Sequence, residues 1–348
     1  MEDLVEIIRL EIIPINMHRL LRKSVPLILV PGIVHLISSC NEKQDSTTVG
    51  TSEITVITQT RAVSGGYVYS RNNRTVSSRG VCWSTTANPT ILDYKTSNGK
   101  DTGNFISIIT GLRPNTAYYL RAYITNTKDT LYGEIKSFTT PDYGSVRDIE
   151  GNEYKTITIG TQTWMLKNLC TTRFKDDTPI AQVSDSAKWA SITTPAYCWY
   201  KNDEAAFEST YGALYNWFTV NTGKLCPEGW HAPSDDEWNI LTSIYGGEKV
   251  AGGKLKERGM SYWVDPNSGA TNESGFTALP GGFRYHDGVF FDLGFGGYWW
   301  STEQHSTSDA FFRFIYYKDS AVFRFNNRKR NGFSVRCVRD KETILPVK

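Results

Sequence analysis

The strongest constraint on the fold lies near the end of the chain, in residues 297–340. The run AFFRFIYYKDSAVFRFNNRKRNGFSVRCVRD in this segment predicts three strands with turns at 318–320 and 328–332. Neighbouring side chains of a strand point to opposite faces, and both faces of the first strand carry rings. One set is Phe311, Arg313, Ile315 and Tyr317, and the other is Phe312, Phe314 and Tyr316. The core can hold all of these rings only if the sheet is covered on both faces.

Two interpretations of these rings are open. In the first, the sheet is buried on both faces and its arginines lie at the rim. In the second, one face is exposed and binds a ligand, because rings, Arg and Asn combine large contact area with several hydrogen-bond donors. The second interpretation predicts ten ligand-binding residues: Trp299, Trp300, Arg313, Tyr316, Tyr317, Arg324, Asn326, Asn327, Arg328 and Arg330.

Length and charge limit the classes of protein that the chain can be. With 348 residues it exceeds the usual size of one hydrophobic core, which favours two domains with tails. Its net charge is +2, from 38 basic and 36 acidic residues, so the charge balance does not indicate a nucleic-acid partner. The high shares of aromatic residues and glycine are typical of β-rich exported proteins.

The N-terminal segment predicts export and lipid anchoring. From Met17, which we leave open as the true start, basic residues precede an apolar run that prolines interrupt, as in a secretory signal. Residues 36–40 (LISSC) resemble a bacterial lipobox, which implies that 1–39 are removed and that Cys40 carries the lipid. The polar residues 40–50 predict a flexible tether. An uncleaved amphipathic N-terminus remains the alternative.

Residues 51–141 predict a β-sandwich. Short alternating apolar runs are separated by turn signals, and none has helical periodicity. The run from Leu112 to Tyr123 resembles the tyrosine-corner strand of fibronectin type III modules. We find no catalytic constellation here and predict a spacer, followed by a short link at 142–147.

Residues 148–340 predict a second, α+β domain. Ser234 is placed to cap a helix whose first turn is acidic and which Gly246 and Gly247 end. The apolar face of this helix consists of Trp238, Leu241 and Tyr245. A further short helical stretch is predicted around Trp217.

Several sequence motifs in this region resemble those of a known protein family. They lie at residues 148–152, 162–169, 211–217, 226–238, 275–282, 298–303 and 332–339. Together they resemble the Fibrobacter succinogenes major paralogous domain, a module of exported Bacteroidetes and Fibrobacteres proteins. The resemblance implies a C-type-lectin-like fold and leaves the biochemical activity undefined.

The resemblance also implies a disulfide. In lectin-like domains a cysteine near the first helix commonly bridges to the last strand, and Cys226 and Cys337 hold matching places. Closing a loop of about 110 residues would contribute on the order of 4 kcal/mol in the chain-entropy model. A second bridge between Cys170 and Cys198 is left open. Cys82 is interpreted as a small buried apolar residue rather than a reactive thiol.

The remaining polar residues do not predict catalysis. His231 directly precedes the helix cap and is interpreted as a structural hydrogen-bonding residue. We find neither the reactive cysteine pair of the formylglycine-generating relatives nor a hydrolase or phosphate-loop motif. The chain is therefore predicted to have no catalytic residues and not to be an enzyme.

Metal and cofactor sites are likewise not predicted. The triplet Asp265-Pro266-Asn267 is interpreted as a turn rather than a calcium-dependent sugar site. A structural calcium on Asp292, Glu303 or Asp309 stays open, although no spacing identifies one. The prediction is that the chain carries no cofactor.

Hypervariable lectin-fold receptors that resemble this domain place their binding residues in the corresponding C-terminal segment, which favours the second interpretation of the rings. We therefore expect a lipoprotein on the outer-membrane surface that binds a glycan or a protein ligand. The alternative is a structural subunit of a cell-surface or fimbria-like assembly.

Overall fold

The computed structural model describes residues 47–70 and 75–341. The predicted signal peptide, the lipidation residue Cys40 and the first part of the tether lie outside the described residues. Among the residues that the structure describes, no helix has the length and apolar character needed to span a membrane.

Two antiparallel sheets form the first part of the chain. Their strands are β1 Thr47–Thr51, β2 Val56–Ile57, β3 Arg61–Ser70, β4 Ser78–Ser84, β5 Tyr94–Lys95, β6 Gly103–Thr110, β7 Ala117–Thr125, β8 Thr130–Tyr132 and β9 Lys136–Thr139. In the first sheet β3 pairs with β1, β2 and β6, and in the second β7 pairs with β4, β8 and β9. Both sheets contribute to one core that includes Val49, Ala62, Val68, Val81, Trp83, Phe105, Leu120, Ile124 and Phe138.

The tether prediction was wrong for its last residues. Strand β1 begins at Thr47 and pairs with β3 along its whole length. Val49 is buried in the shared core, and Thr51 donates its hydroxyl to the carbonyl of Glu134 at 2.6 Å. Residues 47–50 are therefore held by apolar burial and strand pairing.

The second part of the described chain is a mixed region with short helices. Its elements are β10 Gly144–Arg147, β11 Glu153–Ile159, β12 Gln162–Met165, β13 Ala181–Gln182, α1 Ser186–Ser191, β14 Ala196–Cys198, a 3-10 helix Tyr200–Asn202, α2 Glu204–Tyr211, β15 Leu214–Tyr215, α3 Trp217–Val220, β16 Trp230–His231, α4 Asp235–Ile244, α5 Glu248–Leu255, β17 Gly281–Arg284, β18 Phe290–Leu293, β19 Gly296–Gln304, β20 Asp309–Tyr316, β21 Val322–Arg328 and β22 Val338–Arg339. The predicted link 142–147 thus contains strand β10, which pairs with β11.

Three sheets organise this region. The orders of their strands are β10-β11-β12-β22-β16, β13-β14-β15 and β18-β17-β19-β20-β21. The last strand of the region, β22, therefore pairs with β12 near its start, and Trp164 lies opposite Val338 in this pairing. This pairing brings the two ends of the region together.

The sheet β18-β17-β19-β20-β21 is covered on both faces. On one face a cluster includes Tyr215, Trp217, Trp300, Phe312 and Phe333. On the other face, helices α4 and α5 supply Trp238, Leu241, Ala251 and Leu255, which cluster with Trp299, Ile315 and Val322. The first interpretation of the rings is thus correct for the centre of this sheet.

Helix α4 confirms the predicted capping pattern. The Ser234 side chain accepts from the backbone N–H of Glu237, and the Glu237 carboxylate accepts from the backbone N–H of Ser234. The helix ends before Gly246, as predicted. The predicted helical stretch around Trp217 is only partly correct, because β15 precedes the four-residue helix α3.

The predicted disulfide between Cys226 and Cys337 is confirmed, and it closes a sequence separation of 111 residues. Cys82, Cys170 and Cys198 are free thiols, so the second bridge is not formed. Cys82 is buried, and burial raises the pKa of its thiol to about 11. A thiol of this kind is unreactive at neutral pH, as expected for a small buried residue.

His231 has the structural hydrogen-bonding role that its position predicts. Its Nε2 lies 3.0 Å from both carboxylate oxygens of Glu237, and its Nδ1 lies 2.5 Å from Asp340. The hydrogen bond to Glu237, and then that to Asp340, raise the pKa of His231. Protonated His231 therefore joins helix α4 to the end of strand β22.

We expect loss of the disulfide to lower the free energy of unfolding by about 4–5 kcal/mol, because the bridge constrains a long loop in the unfolded chain. The measurement is urea denaturation of Cys226→Ala/Cys337→Ala against the wild-type protein. Cys170→Ala, which removes a free thiol, serves as the control. Equal midpoints for the double variant and the wild-type protein would contradict this expectation.

The second prediction concerns pH. Because the pKa of His231 is raised in the folded state, its contribution is complete below the unfolded pKa of about 6.5 and is lost as pH rises through the folded pKa. The side chain is 37% exposed, so we discount the contribution to about 1 kcal/mol or less. His231→Gln should remove this part of the stability difference between pH 5.5 and pH 8.5, whereas His305→Gln, at an exposed site, should not. Identical pH profiles for both variants would refute the role.

Candidate functional site

The structure separates the ten residues that the sequence predicted as one binding surface. Four of them are buried and cannot contact a ligand: Trp299, Trp300, Arg313 and Tyr317. The indole N–H of Trp299 donates to Asn168 at 2.8 Å, and that of Trp300 donates to the carbonyl of Tyr215 at 2.8 Å. Both tryptophans are therefore core residues with satisfied polar groups, and this part of the prediction was wrong.

The other six residues do not share one surface. Arg324, Asn326 and Arg328 alternate along β21 on the same face as Arg313, beyond the part that helices α4 and α5 cover, and all three are exposed. Tyr316 and Asn327 belong to the opposite face and are half-buried. Arg330 lies in the turn after β21 and donates to the carbonyl of Ala190 at 2.8 Å. The alternation of β-strands is the physical reason for this division.

Two of the predicted arginines make a structural ion cluster with helix α4. Asp235 accepts from Arg313 at 2.7 Å and from Arg324 at 2.7 Å. The guanidinium of Arg324 also lies 3.6 Å from the centre of the Phe311 ring. The side chain of Arg313 is completely buried, so Asp235 supplies its counter-charge inside the protein. These arginines fix helix α4 to the sheet.

A continuous series of rings crosses the other face of this sheet, and we call it the aromatic row. It consists of Phe291 on β18, Phe283 on β17, Tyr298 on β19, Phe314 on β20, and Phe323 and Phe325 on β21. Successive ring centres from Phe291 to Phe323 are 5.7, 4.6, 5.5 and 4.7 Å apart. Phe325 is 5.7 Å from Phe314. These separations are those of favourable aromatic pairs.

The two ends of the aromatic row are exposed to solvent. Phe325 is 53% exposed and Phe291 is 43% exposed, whereas Tyr298 at the centre is only 8% exposed. Phe314 and Phe323 are half-buried. Exposure increases outward because β18 and β21 are the edge strands, where the covering residues end. The sequence prediction missed these rings because their exposure depends on strand order.

Polar groups flank the row. The hydroxyl of Tyr298 donates to Asp292 at 2.5 Å, and this contact, after burial, raises the pKa of the tyrosine. Tyr316 and Asn327 lie on the same face as the rings. The row thus offers apolar faces with hydroxyl, amide and carboxylate groups beside them. This combination suits recognition of a ligand that has both apolar faces and hydroxyl groups.

The three carboxylates that the sequence analysis left open as calcium ligands each accept a hydrogen bond from a different residue. Asp292 accepts from Tyr298, Glu303 accepts from the backbone N–H of Asp235 at 2.7 Å, and Asp309 accepts from Ser308 at 2.8 Å. Among the described residues, no group of three or more His, Cys, Asp and Glu side chains could hold a metal ion.

With two sandwiched sheets followed by a mixed region, the chain is a mostly β, multidomain protein. The sequence model of the Fibrobacter succinogenes major domain matches residues 157–339. The chain belongs to this family. No curated protein matches it.

Similarities to solved structures are weak. The sensor domain of the anti-sigma factor RsgI4 in Pseudobacteroides cellulosolvens is 16% identical over 28% of this chain and 95% of that chain, with a TM-score of 0.23. A redesigned β-sandwich protein is 24% identical over 26% and 89%, with a TM-score of 0.19. The twitchin kinase region from C. elegans is 10% identical over 56% and 34%, with a TM-score of 0.19. TM-scores this low do not indicate a shared overall fold, so no conclusion about this chain rests on these similarities.

The ion cluster generates a prediction for stability. Asp235→Asn should lower the free energy of unfolding by about 3–5 kcal/mol, because it leaves the buried Arg313 without a counter-charge. Asp236→Asn is the matched control, since Asp236 is the exposed neighbour in the same helical turn. Urea denaturation of both variants measures the difference. A similar small loss in the two variants would show that Asp235 does not compensate the buried charge.

Proposed function

We propose that this protein is a non-catalytic recognition protein whose aromatic row binds a glycan. The observation that carries the proposal is the row itself, with Phe325 53% and Phe291 43% exposed. A monomeric protein gains nothing in stability from large rings left in water. Exposed rings beside polar groups are the usual composition of binding hot spots.

A glycan fits this composition. A pyranose ring presents an apolar C–H face that can lie on an aromatic ring, while its hydroxyl groups need hydrogen-bond partners at the edge. Phe314, Phe323 and Phe325 are within 6.4 Å of one another and offer such a platform. Asn327 lies on the same face of β21 and can supply the polar contact.

The proposed architecture is a fibronectin type III-like spacer that carries a C-type-lectin-like domain. The hydroxyl of Tyr118 accepts from the backbone N–H of Arg113 at 2.9 Å, which supports a tyrosine corner of the fibronectin kind. The pairing of β12 with β22 and the bridge between Cys226 and Cys337 close the ends of the second region and support the lectin-like assignment.

The proposed location is the outer-membrane surface, with Cys40 as the lipidated anchor. This part of the proposal depends on the lipobox-like run that ends at Cys40. Export also agrees with a disulfide, since such bridges persist in oxidising compartments. The spacer would then hold the aromatic row away from the lipid surface.

A second candidate function is a structural subunit of a surface assembly. It is favoured by the outer face of the first sheet, where Ile106 is 73% and Ile108 is 51% exposed beside Tyr67 and Tyr69. Strand β6 is an edge strand with no charged residue, and such edges pair readily with another chain. This candidate predicts a concentration-dependent oligomer that Ile106→Lys dissociates.

The glycan proposal is tested by binding of the full chain to a glycan array and to a panel of cell surfaces. We expect Phe325→Ala to weaken binding of the recognised glycan at least tenfold, because one exposed platform ring is lost. The matched control is Tyr94→Ala, a 73% exposed ring outside the row.

The possible outcomes are distinct. Binding to the array that Phe325→Ala removes and Tyr94→Ala leaves intact would support the glycan function. Binding to proteins alone would show that the ligand is a protein rather than a glycan. An absence of any ligand, together with self-association that depends on Ile106, would favour the structural subunit.

A further inference from the structure

A cavity of 560 Å³ is lined by no residue of the aromatic row. Its lining residues come from β11, the segment after β12, the end of α2, the connection between α5 and β17, and Arg336 just before β22. Its volume is in the range of small-molecule sites. The cavity also shares Lys167, Asn168 and Thr210 with a smaller adjoining cavity of 190 Å³.

Arg336 lies in the wall of this cavity and has no acidic partner. The residue is 1% exposed, and none of the described carboxylates forms an ion pair with it. Its guanidinium donates to the carbonyl of Phe276 and to the side-chain oxygen of Asn168, and it lies 4.2 Å from the centre of the Phe276 ring. Burial lowers its pKa to about 9. A buried positive charge without a counter-ion is unfavourable, so an anion beside it would be stabilising.

The other charged groups of the cavity do not neutralise this charge. Glu153 is paired with Arg147 at 2.9 Å and lies at an exposed position. Lys167 is exposed at the cavity wall and contacts no described carboxylate. Lys155 lies over the ring of Tyr143 at 5.5 Å. Apart from Glu257, the unpaired charged side chains that line the cavity are therefore positive.

Glu257 supplies a different polar contact. One of its carboxylate oxygens is buried and has no hydrogen-bond partner. Burial raises the pKa of the Glu257 carboxyl group. A carboxyl oxygen can accept a hydrogen bond from a hydroxyl group of a ligand in the cavity.

The remaining lining residues are suited to contact with a small organic molecule. Leu166, Leu279 and the 42% exposed ring of Tyr262 give apolar surface, and Thr210 and Thr277 add hydroxyl groups. Apolar walls with a few placed polar groups are typical of small-molecule sites.

We propose that this cavity is a second binding site, which binds a small organic carboxylate that contains a ring. The carboxylate lies towards Arg336 and Lys167, and the ring lies against Tyr262. The site is independent of the proposed glycan function, because it shares no residue with the aromatic row.

The test compares two acids with their neutral counterparts by isothermal titration calorimetry and ligand-observed NMR on the full chain. The pairs are galacturonate with galactose and benzoate with benzamide. We expect at least one acid to bind saturably and at least tenfold more tightly than its neutral counterpart. Rising salt should weaken the binding, because the lysine at the cavity wall is exposed.

Variants locate the site. Lys167→Gln and Tyr262→Ala should each weaken the binding of that acid at least fivefold, whereas Lys249→Gln, at an exposed lysine of α5 outside the cavity, should not. These variants avoid Arg336, whose replacement could unfold the protein. Phe325→Ala should leave the acid's affinity unchanged, so failure of the glycan proposal does not affect this result. Absence of saturable binding by both acids, equal binding by acid and neutral counterpart, or equal loss in Lys167→Gln and Lys249→Gln would overturn the proposal.

Discussion

The structure of the second region depends on one constraint: the sheet β18-β17-β19-β20-β21 must be covered on both faces. Its central strand carries Trp299 and Trp300 side by side, and they point in opposite directions. Each buried indole N–H needs an acceptor, and the acceptors are Asn168 for one and the carbonyl of Tyr215 for the other. Residues from distant parts of the chain are therefore held around this sheet by hydrogen bonds as well as by apolar packing.

The aromatic row is a consequence of the same constraint. Covering residues protect the centre of the sheet, where Tyr298 is 8% exposed, but they do not extend over the edge strands. Phe325 continues the pattern of the buried rings and is opposite Phe312, which is 5% exposed. The aromatic row is thus part of the hydrophobic core at its centre and part of the protein surface at its ends. The exposed rings are held in place by packing on the more buried rings of the row.

Much of the fold could be predicted from local patterns, and the site could not. Ser234 and Glu237 identify the start of helix α4 because a capping box involves neighbouring residues. Alternation correctly separates Arg313 from Phe314. Whether a large side chain such as Trp300 or Phe325 is buried depends on whether its strand is central or at an edge. That depends on pairings between distant segments, which no local pattern encodes.

Arg313 and Arg336, two of the buried arginines, differ in the groups that surround their charge. Arg313 is fully buried, and the fold provides Asp235 as its partner 2.7 Å away. Arg336 is also buried, but carbonyl oxygens and rings alone surround its guanidinium. Neutral dipoles compensate a buried charge less completely than a carboxylate does. Arg284 is likewise buried, with carbonyl oxygens and rings around its guanidinium. The cavity beside Arg336 distinguishes this residue from Arg284, and the proposed selection of an acid rests on that cavity.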